Sequence, residues 1–548
     1  MSYQAYQPFY DQFDASRLAR DVLHGDLNQG INACVEVCDK WATEPDRIAL
    51  NYQGVEREPE SWSFARLQVQ AARFANLLTQ QGIGKGDRVA ALLPRTPELL
   101  VVILGTLRAG AVYQPLFTAF GPGAIEYRLD RASTRLVVTD EQNRFKLDDV
   151  KNCPPIVRVT QTGGTPHPDI DYHTQLAAQP DQFEPVLIAA DEPMLQMFTS
   201  GTVGKSKGVA VPVRALLSFH VYMTRAIDLQ PEDHYWNVAD PGWAYGLYYA
   251  VLGPLLLGAT THFNENGFTP ETTYRMIRDY GITNLAAAPT AYRMLMANDH
   301  VLNEGDQLGL RVASSAGEPL NPEVISWVKR RLGCPVMDHY GQTETGMTCC
   351  NHHALEHQVR VGSMGFSLPG HRVVALSGEY EEVGVDETGQ LAVDVENSPL
   401  FFFQGYTWGE KDPFHGRYYL TGDVVISHGD GSYSFTGRDD DIITTAGYRV
   451  GPADVESTLL EHPAVAESGV VGKPDSARGS VIKAYVVIKP QYDPDETLAD
   501  ELKELVRNRL STHAFPREIE FVQELPKTPS GKIQRFILRN QAREEADQ

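Results

Sequence analysis

The stretch FTSGTVGKSKG, residues 198–208, gathers hydroxyls, glycines and two lysines into one loop after the apolar MLQM. Small residues let successive backbone N–H groups converge on an anion, and Thr199, Ser200 and Thr202 add hydroxyl donors. Lys207 adds a point charge. The GKS inside the loop does not end a Walker motif. That motif needs G-x-x-x-x-G-K-[ST], and the position five before Gly204 is Thr199, not glycine. Taken alone, the loop reads equally well as a Gly/Ser surface turn. A second cluster, TCCNHHALEH at 348–357, packs Cys349, Cys350, His352 and His353 close together. Zinc accepts such ligands, but adjacent pairs are poorly spaced for a tetrahedral site on one loop.

The loop resembles the T-S-G-[ST]-[TS]-G-x-P-K-G signature of the adenylate-forming superfamily, which includes acyl-CoA synthetases, luciferases and adenylation domains. Thr199, Ser200, Gly201, Thr202, Gly204, Lys207 and Gly208 match, and in that family the loop holds the β- and γ-phosphates. Val203 and Ser206 depart. Ser206 stands where the family has Pro, which should loosen the backbone slightly without removing a donor. Four further motifs follow in family order. SSAGEPL (314–320) resembles the segment lying against adenine and implies Gly317, Glu318 and Pro319 at the nucleotide. DHYGQTETG (338–346) resembles Y-G-x-T-E, and implies Asp338, Gln342 and Thr343 at the nucleotide, with Glu344 as a Mg²⁺ ligand. A hard cation does take carboxylate oxygen and bridge phosphates. YLTGD (419–423) implies that Asp423 accepts from both ribose hydroxyls.

GRDDDIITTAGYRVGPADVE (437–456) resembles the family's hinge motif. It implies Arg438 on ribose or phosphate, Asp440 as the hinge, Gly447 beside the thiol tunnel and Arg449 holding the CoA-bound state. PKTPSGKIQRFILR (526–539) implies that Lys532 is the catalytic lysine, reaching both the attacking carboxylate and the α-phosphate.

The resemblance implies an acid–thiol ligase that uses ATP, Mg²⁺ and CoA. A carboxylic acid becomes an acyl adenylate with loss of pyrophosphate, and a thiol then displaces AMP. An enzyme loading a separate carrier protein and a catalytically silent nucleotide binder are the alternatives. Joint retention of Lys532, Glu344 and Asp423 speaks against the silent one. CoA is the expected acceptor because the chain ends soon after Lys532, without room for a carrier domain. Gly341 stands where acetate-specific relatives carry Trp. Losing that indole should open room for several methylenes, each worth about 0.8 kcal/mol when buried. A short- to medium-chain or aryl acid is therefore expected over acetate. The segment at 239–258, ADPGWAYGLYYAVLGPLLLG, also resembles acetate-type enzymes. Trp243, Gly246 and Leu247 are acyl-pocket candidates, though Trp243 reads equally as a core aromatic.

These residues need a large scaffold. At 548 residues the chain suggests three or four structural units. Periodicity predicts a helix through Phe64, Leu67, Ala71, Phe74 and Leu78, a buried strand RVAALL at 88–93, and a helix from Pro97 to Ala109 closed by Gly110. Such alternation predicts an α/β domain, residues 1–439, of parallel-rich sheets layered with helices. A composition shift near Asp440 predicts a small α+β domain, residues 440–548, on a hinge. It includes a strand at 481–488 and a helix presenting Leu498, Leu502, Leu505 and Leu510.

The formal charge, 48 − 71 = −23, makes nucleic acid and anionic membranes poor partners. No segment reaches the roughly 18 apolar residues of a membrane span. Six cysteines in so long a chain do not make a disulfide framework. With no secretory signal at the N-terminus, these features predict a cytoplasmic protein. A homodimer is left open.

Overall fold

The computed structural model describes residues 4–160, 168–199, 206–303, 305–408, 412–445, 448–475, 479–511, 513–528 and 532–546. Its first sheet has seven strands, in the order 208–212, 193–198, 112–115, 88–92, 136–140, 156–159 and 170–171. Only the pair 193–198 and 208–212 is antiparallel. The helix Pro97–Arg108 packs beside this sheet and is buried at every residue; its run LLVVIL is apolar, while Glu98 pairs with Arg57 and Arg108 with Asp39. Gly110, at φ +67°, turns the chain out of it.

The second sheet carries most of the candidate chemistry. Strands Tyr235–Asn237, Asn284–Ala287, Val312–Ala316 and Val336–Gln342 run parallel. Gly346–Cys350 and Phe366–Ser367 then add antiparallel strands. The carboxyl ends of the four parallel strands fall on one edge. Beyond that edge the chain emerges half-buried or exposed at 238–240, 288, 317–319 and 343. Ligands of open parallel sheets bind in such crevices, where the strand ends leave backbone groups unpaired.

A third sheet differs from the parallel expectation. Val373–Leu376, Glu387–Asp394, Phe414–His415, Tyr418–Ser427 and Tyr433–Arg438 are all antiparallel. Short turns join Phe414–His415 to Tyr418–Ser427 and that strand to Tyr433–Arg438, and turns of that length allow only antiparallel neighbours.

From Ile443 onward a separate apolar cluster forms, containing Ile443, Val450, Val455, Val470, Ile482 and Leu502 among others. Its sheet is Val465–Asp475, Gly479–Ile488 and Glu518–Phe521. The helix Glu496–Arg509 is N-capped by Asp495 and buries Leu498, Leu502 and Val506. Its inward face therefore follows an i, i+4, i+8 row. Leu505 is only partly buried and Leu510 is 39% exposed, which corrects the predicted face.

Leu502→Ala should lower unfolding stability by about 2–5 kcal/mol, the cost of a core cavity. Leu510→Ala should stay within about 0.5 kcal/mol. Urea titration of the two variants checks the corrected face.

Candidate active site

Asp423 lies at the centre, on the strand Tyr418–Ser427, and is 4% exposed. Its Oδ2 accepts from the Tyr340 hydroxyl and from Gln342 Nε2 at 2.8 Å. Its Oδ1 lies 3.4 Å from Arg438 Nε on the paired strand. Burial pushes the carboxyl pKa up, while Arg438, the two hydrogen bonds and the Lys532 charge hold it down. Gln342 is itself locked, donating to the Thr421 carbonyl at 2.9 Å and accepting from the Tyr419 hydroxyl at 2.9 Å. The predicted ribose acceptor and its predicted neighbours thus converge. Tyr340 joins them without having been singled out in sequence.

The candidate phosphate loop follows the strand Pro193–Phe198 and precedes Gly208–Pro212, with Thr199 N–H donating to the Lys207 carbonyl at 3.0 Å. Ser200, Gly201, Thr202 and Gly204 lie outside the described residues. The exit arm is clamped. The Ser206 carbonyl accepts from the Tyr127 hydroxyl at 2.8 Å and from Trp408 Nε1 at 3.1 Å. Arg128 Nη2 reaches Ser206 Oγ at 3.2 Å. At the exit, then, these bonds replace the expected loosening from the missing Pro: the hydroxyl supplies an anchor that a pyrrolidine ring lacks. The Trp408 indole covers Gly208, where a Cβ would lie 2.5 Å from the ring.

Lys207 Nζ sits 4.3 Å from the centroid of the Tyr406 ring, and the Tyr406 hydroxyl donates to Glu344 Oε1 at 2.8 Å. Glu344 is buried. Burial raises its pKa, and the Tyr406 bond and the Lys207 and Arg438 charges oppose that. A single buried carboxylate beside a cationic loop suits a hard cation whose remaining ligands are phosphate and water. The only hint of Tyr406 and Trp408 in the sequence was the aromatic run FFFQGYTW at 401–408. Thr343 lies in the same turn, half-buried, with its carbonyl held by the Tyr248 hydroxyl at 2.9 Å.

The adenine-type segment is braced from behind. Asp338 Oδ2 accepts the Leu320 N–H at 3.2 Å and Oδ1 accepts the His339 N–H at 3.1 Å. Burial pushes the Asp338 pKa up to about 8 against those two bonds. Gly317 is exposed with φ +104°, a backbone that favours glycine. Pro319 is exposed beside it. Glu318 faces elsewhere. It accepts from Arg293 Nη2 at 2.7 Å and from Thr290 at 3.1 Å, tying the segment to the helix Pro289–Ala297.

Two acyl-pocket candidates are set by backbone crowding. A Cβ on Gly341 would stand 2.3 Å from the Gly346 carbonyl oxygen of the facing strand, at a register shift in the hairpin. A Cβ on Gly246 would stand 2.1 Å from the Asp240 carbonyl oxygen. Glycine at 341 is therefore demanded by this hairpin, independently of any room it leaves for an acid. Trp243 is half-buried and packs on Phe117 and Phe120, with ring centroids 5.5 and 5.4 Å away. Leu247 is fully buried in the main core.

The hinge candidate is pinned on both sides. Arg438 faces Asp423, and Asp439 N–H donates to the Gly422 carbonyl at 2.9 Å. On the other side Arg539 donates to the Asp440 carbonyl at 2.8 Å and to the Asp441 carboxylate. Contacts to the body and contacts to the C-terminal helix thus meet within residues 438–441. Gly447 lies outside the described residues. Arg449 sits on a short strand whose register partner is Thr444. Lys532 is exposed, with its N–H held by Thr528 Oγ1 at 3.1 Å. Its Cε lies 4.0 Å from where a Gly317 Cβ would be.

The Cys/His cluster disperses. Strand alternation sends Cys349 into one apolar cluster and Cys350 into another. His353 bonds the Ala313 carbonyl at 2.8 Å, and His357 Nε2 accepts the His352 N–H at 2.8 Å. Among the described residues no group of three His, Cys, Asp or Glu could hold a metal ion. No described helix is long and apolar enough to cross a membrane.

Asp338 makes stability depend on pH. Below about pH 4 the folded and unfolded carboxyls both carry a proton. Above that the unfolded chain releases it, while the folded one keeps it to about pH 8. Wild type should therefore lose stability relative to Asp338→Asn across that window, with a constant gap above it, as read by thermal melts over pH. Gly341→Ala should cost about 1–3 kcal/mol through overpacking. Chemical denaturation measures it, and an unchanged midpoint contradicts the crowding.

The family described as AMP-binding enzyme matches residues 38–406, and the AMP-binding enzyme C-terminal domain matches 454–532. Acetyl-coenzyme A synthetase of Bacillus subtilis (strain 168) is 35% identical over 545 residues, spanning 97% of this chain and 94% of that protein. Mitochondrial acyl-coenzyme A synthetase ACSM4 of Rattus norvegicus is 33% identical over 534 residues, spanning 94% and 91%. The crystal structure of Brucella canis acyl-CoA synthetase is 50% identical, covers 100% of both chains and gives a TM-score of 0.80. An anthranilate CoA ligase in complex with anthranoyl-AMP gives 0.87 at 25% identity, covering 98% of this chain and 100% of that one. The chain belongs to the AMP-binding enzyme family, the adenylate-forming group that its motifs resemble.

Proposed function

We propose that this protein is an AMP-forming acid–CoA ligase acting on short- to medium-chain or aryl acids in preference to acetate. The observation that carries the reading is Lys532. It comes from the far end of the chain, yet it lies against Gly317 and its charge favours the ionised form of Asp423. A cation from the C-terminal unit thus enters the same crevice as the residues that resemble a nucleotide site.

A carboxylate is a poor acylating agent because its leaving group would be oxide. In the first step an oxygen of the acid bonds the α-phosphorus, the bond to the β-phosphate oxygen breaks, and pyrophosphate leaves. Catalysis of such in-line transfer is mostly positioning and charge stabilisation. Lys532 neutralises the α-phosphate and the incoming carboxylate, the 199–207 loop with Lys207 holds the departing phosphates, and Asp423 orients the ribose. Glu344, with one oxygen engaged by Tyr406, would hold Mg²⁺, which neutralises phosphate charge when bound. In the second step the CoA thiol bonds the acyl carbon and AMP leaves; no side-chain nucleophile is needed. The two steps need different groups around one adenylate. Residues 1–439 act as the body and 440–548 as the moving unit, which turns about Asp440 to bring Gly447 and Arg449 to the thiol.

For the acid, the missing indole at 341 and the acyl-, benzoate and anthranilate-CoA ligases among the relatives favour a chain longer than acetate's. The Bacillus subtilis acetyl-CoA synthetase is the counterweight. Lys532→Ala should lower ATP–pyrophosphate exchange by about 10²–10³ while sparing thioester formation from supplied acyl adenylate. Equal loss of both steps contradicts its role, and release of ADP in place of AMP overturns the reading.

A further inference from the structure

The first sheet sets a cation against the candidate phosphate loop. Its strands Val112–Pro115 and Pro193–Phe198 are parallel neighbours, so their carboxyl ends leave the sheet side by side. From the first the chain passes to the helix Pro122–Arg131, and from the second it reaches Thr199. Arg128 on that helix meets the exit arm of the loop. Its Nη2 donates to Ser206 Oγ at 3.2 Å, and its Nη1 donates to the Ala124 carbonyl, one turn back, at 2.9 Å. Both acceptors are neutral. The guanidinium carbon lies 4.0 Å from the Phe120 ring centroid and 5.4 Å from that of Phe198, and these rings supply quadrupoles but no net charge.

Three cations are buried among the described residues: Arg108, Arg128 and Lys483. Arg108 pairs with Asp39 at 2.7 Å, and Lys483 pairs with Glu520 at 2.7 Å. Arg128 has no carboxylate partner among the described residues. Burial lowers its pKa to about 10, with the Tyr127 hydroxyl opposing, so it stays protonated at neutral pH. A buried charge is costly without a counter-ion, and the described fold supplies none here. The next residue of the arm, Lys207, carries its ammonium to the Tyr406 ring. Two successive residues, Ser206 and Lys207, therefore bring positive charge to the exit arm.

Resting on the ligase reading above, we infer that Arg128 is a binding cation for the β- and γ-phosphates of ATP, whose negative charge is the counter-charge its own fold withholds. A cation fixed in a low dielectric acts across several ångströms with little screening and needs no reorganisation when the anion arrives. Ser206 suits this role, because its hydroxyl ties the guanidinium to the arm, whereas the family's Pro would offer no side-chain acceptor. The α-phosphate, which stays with AMP, falls to Lys532. Arg128 should therefore discriminate between phosphate groups: it favours pyrophosphate and ATP and is indifferent to AMP.

Isothermal titration of the full-length protein with inorganic pyrophosphate plus Mg²⁺, and separately with AMP, tests this at about pH 6.5, where a lysine placed at 128 holds its proton more readily. Arg128→Met and Arg128→Gln should each weaken pyrophosphate about tenfold or more and leave AMP within about twofold. Arg128→Lys, which keeps the charge, should recover part of the loss. Retained AMP binding reports that the variants are folded. Pyrophosphate affinity unchanged in Arg128→Met overturns the inference and leaves the ligase standing. So does equal loss for AMP and pyrophosphate, and so does recovery by Arg128→Gln matching that by Arg128→Lys, because the residue would then be a neutral brace. If the wild type binds AMP but not pyrophosphate, the inference falls alone. If it binds neither, the ligase reading falls and takes this one with it.

Discussion

The site depends on one buried carboxylate. Asp423 takes hydrogen bonds from Tyr340 and Gln342 on the edge of the second sheet and faces Arg438 across the third. A charge this deep is costly unless paired and bonded, and removing one partner would strand the other. The two sheets are therefore fixed against each other where the nucleotide would lie. The same Arg438 lies 3.7 Å from Asp440 Oδ1, so the group that faces Asp423 also reaches the hinge candidate.

Contacts to the body and contacts to the C-terminal unit meet within a few residues. Up to Asp439 the backbone is tied to the body through Gly422, and from Asp440 it is tied to the C-terminal helix Arg535–Ala546 through Arg539. Arg535 adds a pair with buried Glu456 at 2.6 Å, locking that helix to the helix Pro452–Leu460. Two separately braced units therefore meet at residues 439–441, the stretch about which the proposed turn of the C-terminal unit would take place.

Close approach matters as much as charge. Gly246 and Gly341 sit where neighbouring carbonyls leave no space for a Cβ, and Gly208 sits under the Trp408 ring. These contacts let neighbouring backbone segments approach more closely than any side chain would allow. A glycine that sequence comparison links to pocket volume is thus also a packing requirement, and the two causes act on the same residue.

The sequence by itself determined the elements and the chemical inventory. Periodicity placed the helix Phe64–Gln80, the strand Arg88–Leu92 and the helix Pro97–Arg108, because local burial repeats at 3.6 and 2 residues. Motif residues such as Asp423, Gln342, Glu344 and Lys532 were legible because the segments around them resemble motifs of the adenylate-forming family. Other features depend on residues distant in the chain. Tertiary structure alone decided that Glu318 turns to Arg293, that Ser206 is anchored by Tyr127, Arg128 and Trp408, and that Cys349 and Cys350 part to opposite faces. It also decided which polar atoms go unpaired. Hydrogen bonding is a property of three-dimensional neighbours, and no spacing along the chain records which side chain meets which carbonyl.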